Sequence, residues 1–199
     1  MGERRIIHSP QKEDNWIIRD RMNTEKLIKN IIDQIKEAQI KLGFAKETTR
    51  LYYPVESLNA MLGIHTDNDE EMLKALGSSD LHDTELGQLH FSAHKGRIEI
   101  SVPPEGAAYV HEHVEEPAFL KAMIELFRQN HHCSVADIRA LFESFSKDYV
   151  CKKMPEGSDF DEVLYFKDAS VDSYYYCVKE EMGHTIYHRF TKEDMENLW

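Results

Sequence analysis

The chain has 199 residues, 41% of them apolar and 30% charged, the balance of a water-exposed globular protein with enough material for a real core. No apolar run approaches the roughly 20 residues that span a bilayer, and the charged N-terminus lacks the apolar stretch of a signal peptide. With 24 Lys and Arg against 36 Asp and Glu the net charge is −12, which repels polyanions at long range. The expectations are a cytoplasmic protein, no membrane contact and no nucleic-acid partner. The three cysteines, Cys133, Cys151 and Cys177, form no CxxC pair and predict reduced thiols packed as small apolar groups.

In chain order, residues 1–22 read as a flexible arm. Thr24 to Leu42 predicts the clearest helix, with Thr24 as cap, Leu27, Ile28, Ile31, Ile32, Ile35, Ala38 and Leu42 as its apolar stripe, and Gly43 as stop. A short helix follows Pro54 and ends at Gly63. Asp67 is the expected cap of a third, Asn68 to Leu76. Leu89 to Val102 predicts a hairpin turning at Lys95-Gly96. Its register pairs Leu89 with Val102, Phe91 with Ile100 and Ala93 with Ile98, so that one face is wholly apolar. Pro103-Pro104 ends the strand, and Glu105 to Val114 predicts a helix.

Pro117 opens another helix with Phe119, Leu120, Met123, Ile124 and Phe127 along one side, and His131-His132-Cys133 form a corner. Ser134 caps the next helix, which buries Val135, Ile138, Leu141, Phe142 and Phe145. Four strands follow near 149–154, 162–167, 174–179 and 184–190, then a capping box, Thr191 with Asp194, that starts a helix running to Trp199. The fold class is α+β: N-terminal helices plus a β-hairpin, then a winged-helix-like helix-turn-helix and antiparallel β-meander. The expected division is 1–22, 23–116 and 117–199, the last two packed as one unit because no Pro/Gly/Ser-rich linker separates them.

A winged helix suggests DNA, but the charges oppose it. The exposed side of the second helix, Asp137, Arg139, Ala140, Glu143, Ser144 and Lys147, is neutral in sum, and the following strands are acidic. Eleven histidines suggest metal; the candidate ligands are His111, Glu115, His131, His132 and Cys133, with no HExxH or paired-Cys motif around them. On an extended strand His90 and His94 lie about 13 Å apart, too far for one ion. No nucleophile elbow or phosphate loop is present, so no catalytic residue and no cofactor is expected.

The last two strands carry the strongest binding signal. A four-residue loop at Glu180 to Gly183 would set Tyr176 opposite Tyr187, Tyr174 opposite Arg189 and Tyr175 opposite His188. Tyr174, Tyr176, Tyr187 and Arg189 would then share one face, a Tyr–Arg combination typical of interfaces and anion sites. The reading is a non-enzymatic module for a protein partner or small ligand. The alternatives are a DNA-binding regulator or a metal-dependent hydrolase, and the oligomeric state is left open.

Three stretches, Thr48-Thr49-Arg50-Leu51-Tyr52-Tyr53-Pro54, Pro103-Pro104-Glu105-Gly106 and Ile186-Tyr187-His188-Arg189-Phe190-Thr191, resemble a bacterial family of unknown function from Clostridia-type Firmicutes. The resemblance spans roughly Met22 to Trp199. It implies a bacterial cytoplasmic protein and carries over no catalytic residue.

Overall fold

The computed structural model describes residues 22–82, 84–130 and 132–197, so residues 1–21 of the expected arm, His131 and Trp199 lie outside the described residues. The chain divides into two compact units, one ending at Glu115 and the other beginning at Glu116. Among the described residues no helix is long and apolar enough to cross a membrane.

The first unit is built on α1 (Thr24–Leu42). Leu27, Ile31 and Ile35 recur at helical spacing and are buried. Asn23 caps α1 in place of Thr24, its side chain accepting the Lys26 N–H at 3.2 Å. Gly43 ends the helix at φ 74°, a conformation that favours glycine. Leu42, expected in the stripe, is 63% exposed because the helix stops there. Helices α2 (Val55–Leu62) and α3 (Asp69–Gly77) follow. Asn68 caps α3 in place of Asp67: its Oδ1 accepts the Glu71 N–H at 3.0 Å, while Glu71 accepts the Asp67 N–H at 3.0 Å.

The sheet of this unit has the order β1-β3-β2. Strands β2 (His90–His94) and β3 (Arg97–Val102) form the expected hairpin in the expected register, Phe91 to Ile100 and Ala93 to Ile98. Lys95 at φ 50° and Gly96 at φ 74° give the two left-handed residues that match strand twist. Strand β1 (Thr49–Tyr53) was not expected from sequence; it pairs antiparallel with the other edge of β3, Leu51 to Ile100. The core comprises Leu27, Ile31 and Ile35 of α1 with Leu58, Leu62, Met72, Leu76, Ile98 and Ile100.

Helix α4 (Pro104–His113) closes the unit and fits against two polar residues of α1. Lys36, 4% exposed, donates from Nζ to the carbonyls of Val110 at 3.2 Å and His111 at 3.4 Å. The ammonium meets the negative end of the helix dipole and shares the Val110 carbonyl with the Val114 N–H, which donates to it at 3.2 Å. Gln39 donates to the Ala107 carbonyl at 2.8 Å. Near the start of α4, a Cβ on Gly106 would stand 2.2 Å from the Leu86 carbonyl oxygen, so only glycine permits this approach.

The second unit begins with α5 (Ala118–Gln129) and α6 (Val135–Phe145). Ser134 and Asp137 form a reciprocal capping box at the start of α6. Strands β4 (Tyr149–Lys153), β5 (Glu162–Phe166), β6 (Tyr175–Glu181) and β7 (His184–Phe190) make an antiparallel meander in sequential order. Both α+β character and the two-helices-then-four-strands order follow the sequence expectation. One face of the meander, with Leu164, Phe166, Tyr176 and Val178, packs with Phe119, Met123, Ile138 and Phe142 of the helix pair. The other buries Val163 and Cys177 with Met195 of α7 (Lys192–Asn197), which starts at the Thr191–Asp194 capping box.

The β6–β7 register differs from the expectation. The turn is Met182-Gly183, at φ 52° and 78°, and it pairs Tyr176 with Arg189, Cys177 with His188 and Val178 with Tyr187. A tight two-residue turn replaces the four-residue loop and slides the pairing by two positions. Side chains alternate with period two, so each residue keeps its face and only its partner changes.

Candidate functional site

The face carrying Tyr174, Tyr176, Tyr187 and Arg189 is the one turned toward α5 and α6. Phe119 stands at its centre, edge-on to Phe142 at 4.5 Å, Phe166 at 4.8 Å and Tyr176 at 5.2 Å between ring centroids. Tyr176 is fully buried, and its hydroxyl donates to Asp172 Oδ2 at 3.1 Å. Asp172 is itself buried and accepts the Tyr174 N–H through Oδ1 at 2.8 Å. Burial, then the Asp172 charge, push the Tyr176 phenol well above its ordinary pKa, against a smaller opposing pull from Arg189. The Arg189 guanidinium lies 4.1 Å from the Tyr174 ring centroid, a cation–π contact. Tyr187 packs on Phe127 at 5.0 Å. The four residues therefore gather as expected on one face, with Tyr176 in the core and Tyr174, Tyr187 and Arg189 half-buried around it.

An open cleft of about 670 Å³ lies elsewhere in the second unit, lined by Val135 and Arg139 of α6, the Lys153–Ser158 segment, Phe160 to Glu162, and Glu180. Three backbone-directed bonds shape it: Met154 N–H to the Asp161 carbonyl at 2.8 Å, Asp161 N–H to the Val178 carbonyl at 2.9 Å, and Glu180 N–H to Asp161 Oδ2 at 2.8 Å. Within the lining, the Arg139 guanidinium bonds both carboxylate oxygens of Glu162. The Cys151 thiol, beside it on β4, donates to Glu162 Oε2 at 3.2 Å. Burial alone would raise the Glu162 carboxyl, but the bonds from Arg139 and Cys151 outweigh it and hold the group below its ordinary value. Burial and then Glu162 push the Cys151 thiol up, away from the reactive thiolate.

Arg139 appeared in the sequence only as one exposed charge on a helix, and neither Cys151 nor Glu162 stood out. The three come from three elements, and no local spacing signals their meeting. Near α6, Arg139 is engaged by Glu162 and Lys167 by Asp148.

The candidate metal ligands are distributed over both units of the chain. His111 and Glu115 belong to the first unit, His132 and Cys133 to the second, and His131 lies outside the described residues. Cys133 points into the core at 5% exposure, its thiol pushed up to about 11 by burial and then by Asp137. Among the described residues, no group of three or more His, Cys, Asp or Glu is placed to hold an ion. The ring of His132 instead lies near that of His184, which the sequence did not bring to notice.

These features define an α+β protein whose second unit joins a helix pair to an aromatic meander beside a charged cleft. From residue 24 to residue 199 the chain matches the family described as a domain of unknown function, E. rectale gene description (DUF3877), and it belongs to that family. Neither the curated proteins nor the solved structures contain a match to it.

Proposed function

We propose that this chain is a non-enzymatic binding module, with a winged-helix-like second unit that takes a small ligand or a segment of a protein partner. The observation that carries the reading is the open cleft of about 670 Å³, within the roughly 300–1,000 Å³ typical of small-molecule sites. Arg139 and Lys153 on its wall stand with Glu156, Asp161, Glu162 and Glu180, so the lining offers both donors and acceptors. Tyr174, Tyr187 and Arg189 form a second contact region in the proposal, supported from beneath by Tyr176. The raised thiols of Cys133 and Cys151 favour binding over nucleophilic chemistry. The charge balance and the engaged Arg139 favour a protein or small molecule over DNA.

Ser158→Trp places an indole in the cleft and provides the test. A metabolite and peptide panel is screened by thermal shift against the native chain and the variant. A compound that raises Tm of the native chain but not of Ser158→Trp is the expected result. If every stabilising compound acts equally on both, the cleft is not the site.

A further inference from the structure

His132 lies in the corner between α5 and α6, and His184 opens β7 directly after the Met182-Gly183 turn. Both side chains are exposed, and neither belongs to the cleft lining. Their ring centroids are 6.0 Å apart with the planes inclined at 22°. Each backbone is held in place. His132 is followed by Cys133, anchored in the core, and by Ser134, whose N–H donates to the Asp137 carboxylate at 2.9 Å. His184 is paired across the hairpin with Glu181. Two imidazoles presented from fixed backbone lose little freedom on sharing a ligand.

The separation suits a single ion. With metal–nitrogen bonds of about 2.1 Å, each ring centroid stands about 3.2 Å from the metal. Two imidazoles on one ion can then have centroids at most about 6.4 Å apart, or about 5.2 Å at a tetrahedral angle. The observed 6.0 Å falls between these values, and because the two rings are stacked, each exposed imidazole turns about its side-chain bonds to bring a nitrogen to the shared ion.

We propose that His132 and His184 form a two-imidazole site for a divalent first-row transition-metal ion. Imidazole suits copper and zinc, and copper(II) binds more tightly than zinc(II) in the general affinity order. Cys133 is turned away, its thiol donating to the Ser134 carbonyl at 3.7 Å, and is not a ligand. Among the described residues no further His, Cys, Asp or Glu completes a closed set, so water fills the remaining positions and the ion exchanges readily. Glu181, opposite His184, adds negative charge at the turn. The bound ion ties the β6–β7 turn to the helix corner.

The test is isothermal titration of the full chain, carrying no affinity tag, with zinc(II) and with copper(II). Expected are one equivalent of each and tighter copper. The affinity should fall in His132→Ala and in His184→Ala by at least the roughly 10- to 100-fold that loss of an outer-shell partner already costs. Zinc should raise Tm of the native chain and leave Tm of both variants unchanged, with circular dichroism confirming that they fold. His184→Gln gives a second, more conservative check on folding. Absence of stoichiometric binding overturns the proposal, as does binding that survives His184→Ala. Binding lost in His131→Ala but kept in His184→Ala also overturns it, because the site would then lie within the corner alone.

Discussion

Gly106 shows how much one atom can decide. The Leu86 carbonyl occupies the space where any other residue would place its Cβ, and the Val102 side chain stands 2.8 Å from the same point. Neither a backbone oxygen nor a branched side chain on the central strand can move aside cheaply. Gly106→Ala should destabilise the first unit by about 1–3 kcal/mol, the usual range for overpacking, despite the better helix propensity of alanine. Urea unfolding measures it, and an unchanged midpoint would show that the strand end yields. Glu162 works through charge. Its carboxyl sits below its ordinary value in the folded chain, so the stabilisation is present above the unfolded pKa and disappears as pH falls through the folded one. The native chain should therefore lose stability in acid more steeply than Glu162→Gln does. Parallel acid-melting curves for the two would contradict this.

The two hairpins illustrate what an element reveals in sequence. In β2–β3 an unbroken apolar alternation met a Lys-Gly turn, and the register could be counted outward residue by residue. In β6–β7 the turn is Met-Gly, and methionine is an uncommon residue for positive φ, so the longer loop read naturally from the Glu-Glu-Met-Gly sequence. Met182 bears that strain with 93% of its surface in water. Met182→Gly should stabilise the chain by about 0.5–1 kcal/mol, part of the cost of left-handed backbone for an ordinary residue less the entropy glycine adds to the unfolded state. Thermal unfolding would detect it, and a lower Tm would mean that the methionine side chain packs usefully. Strand β1 escaped sequence reading for another reason. Its five residues alternate only briefly, and the edge of β3 that they pair with lies far along the chain.

For the molecule as a whole, elements of one sequential run were legible and meetings between distant runs were not. Helix stripes, capping residues and faces were visible because each depends on neighbours within a few positions. Arg139 with Glu162 and Cys151, His132 with His184, and Lys36 under the end of α4 are all products of packing. Each unit encloses its own apolar cluster, and within them the Gln39 amide N–H donates to the Ala107 carbonyl and the Tyr176 hydroxyl to Asp172. Lys36 brings this arrangement within reach of chemistry. A primary amine attacks an acylating reagent through its lone pair, and this one is shut from solvent and directed at two carbonyls. Lys46, 63% exposed at its side chain, has no such shelter. In a timed pulse of acetic anhydride read by peptide mass spectrometry, Lys46 should be acetylated at once and Lys36 only as fast as α1 parts from α4. Equal rates would mean that the contact opens freely. Otherwise Lys36 serves as an internal clock, its slow acetylation counting the openings of a folded protein that other probes record as closed.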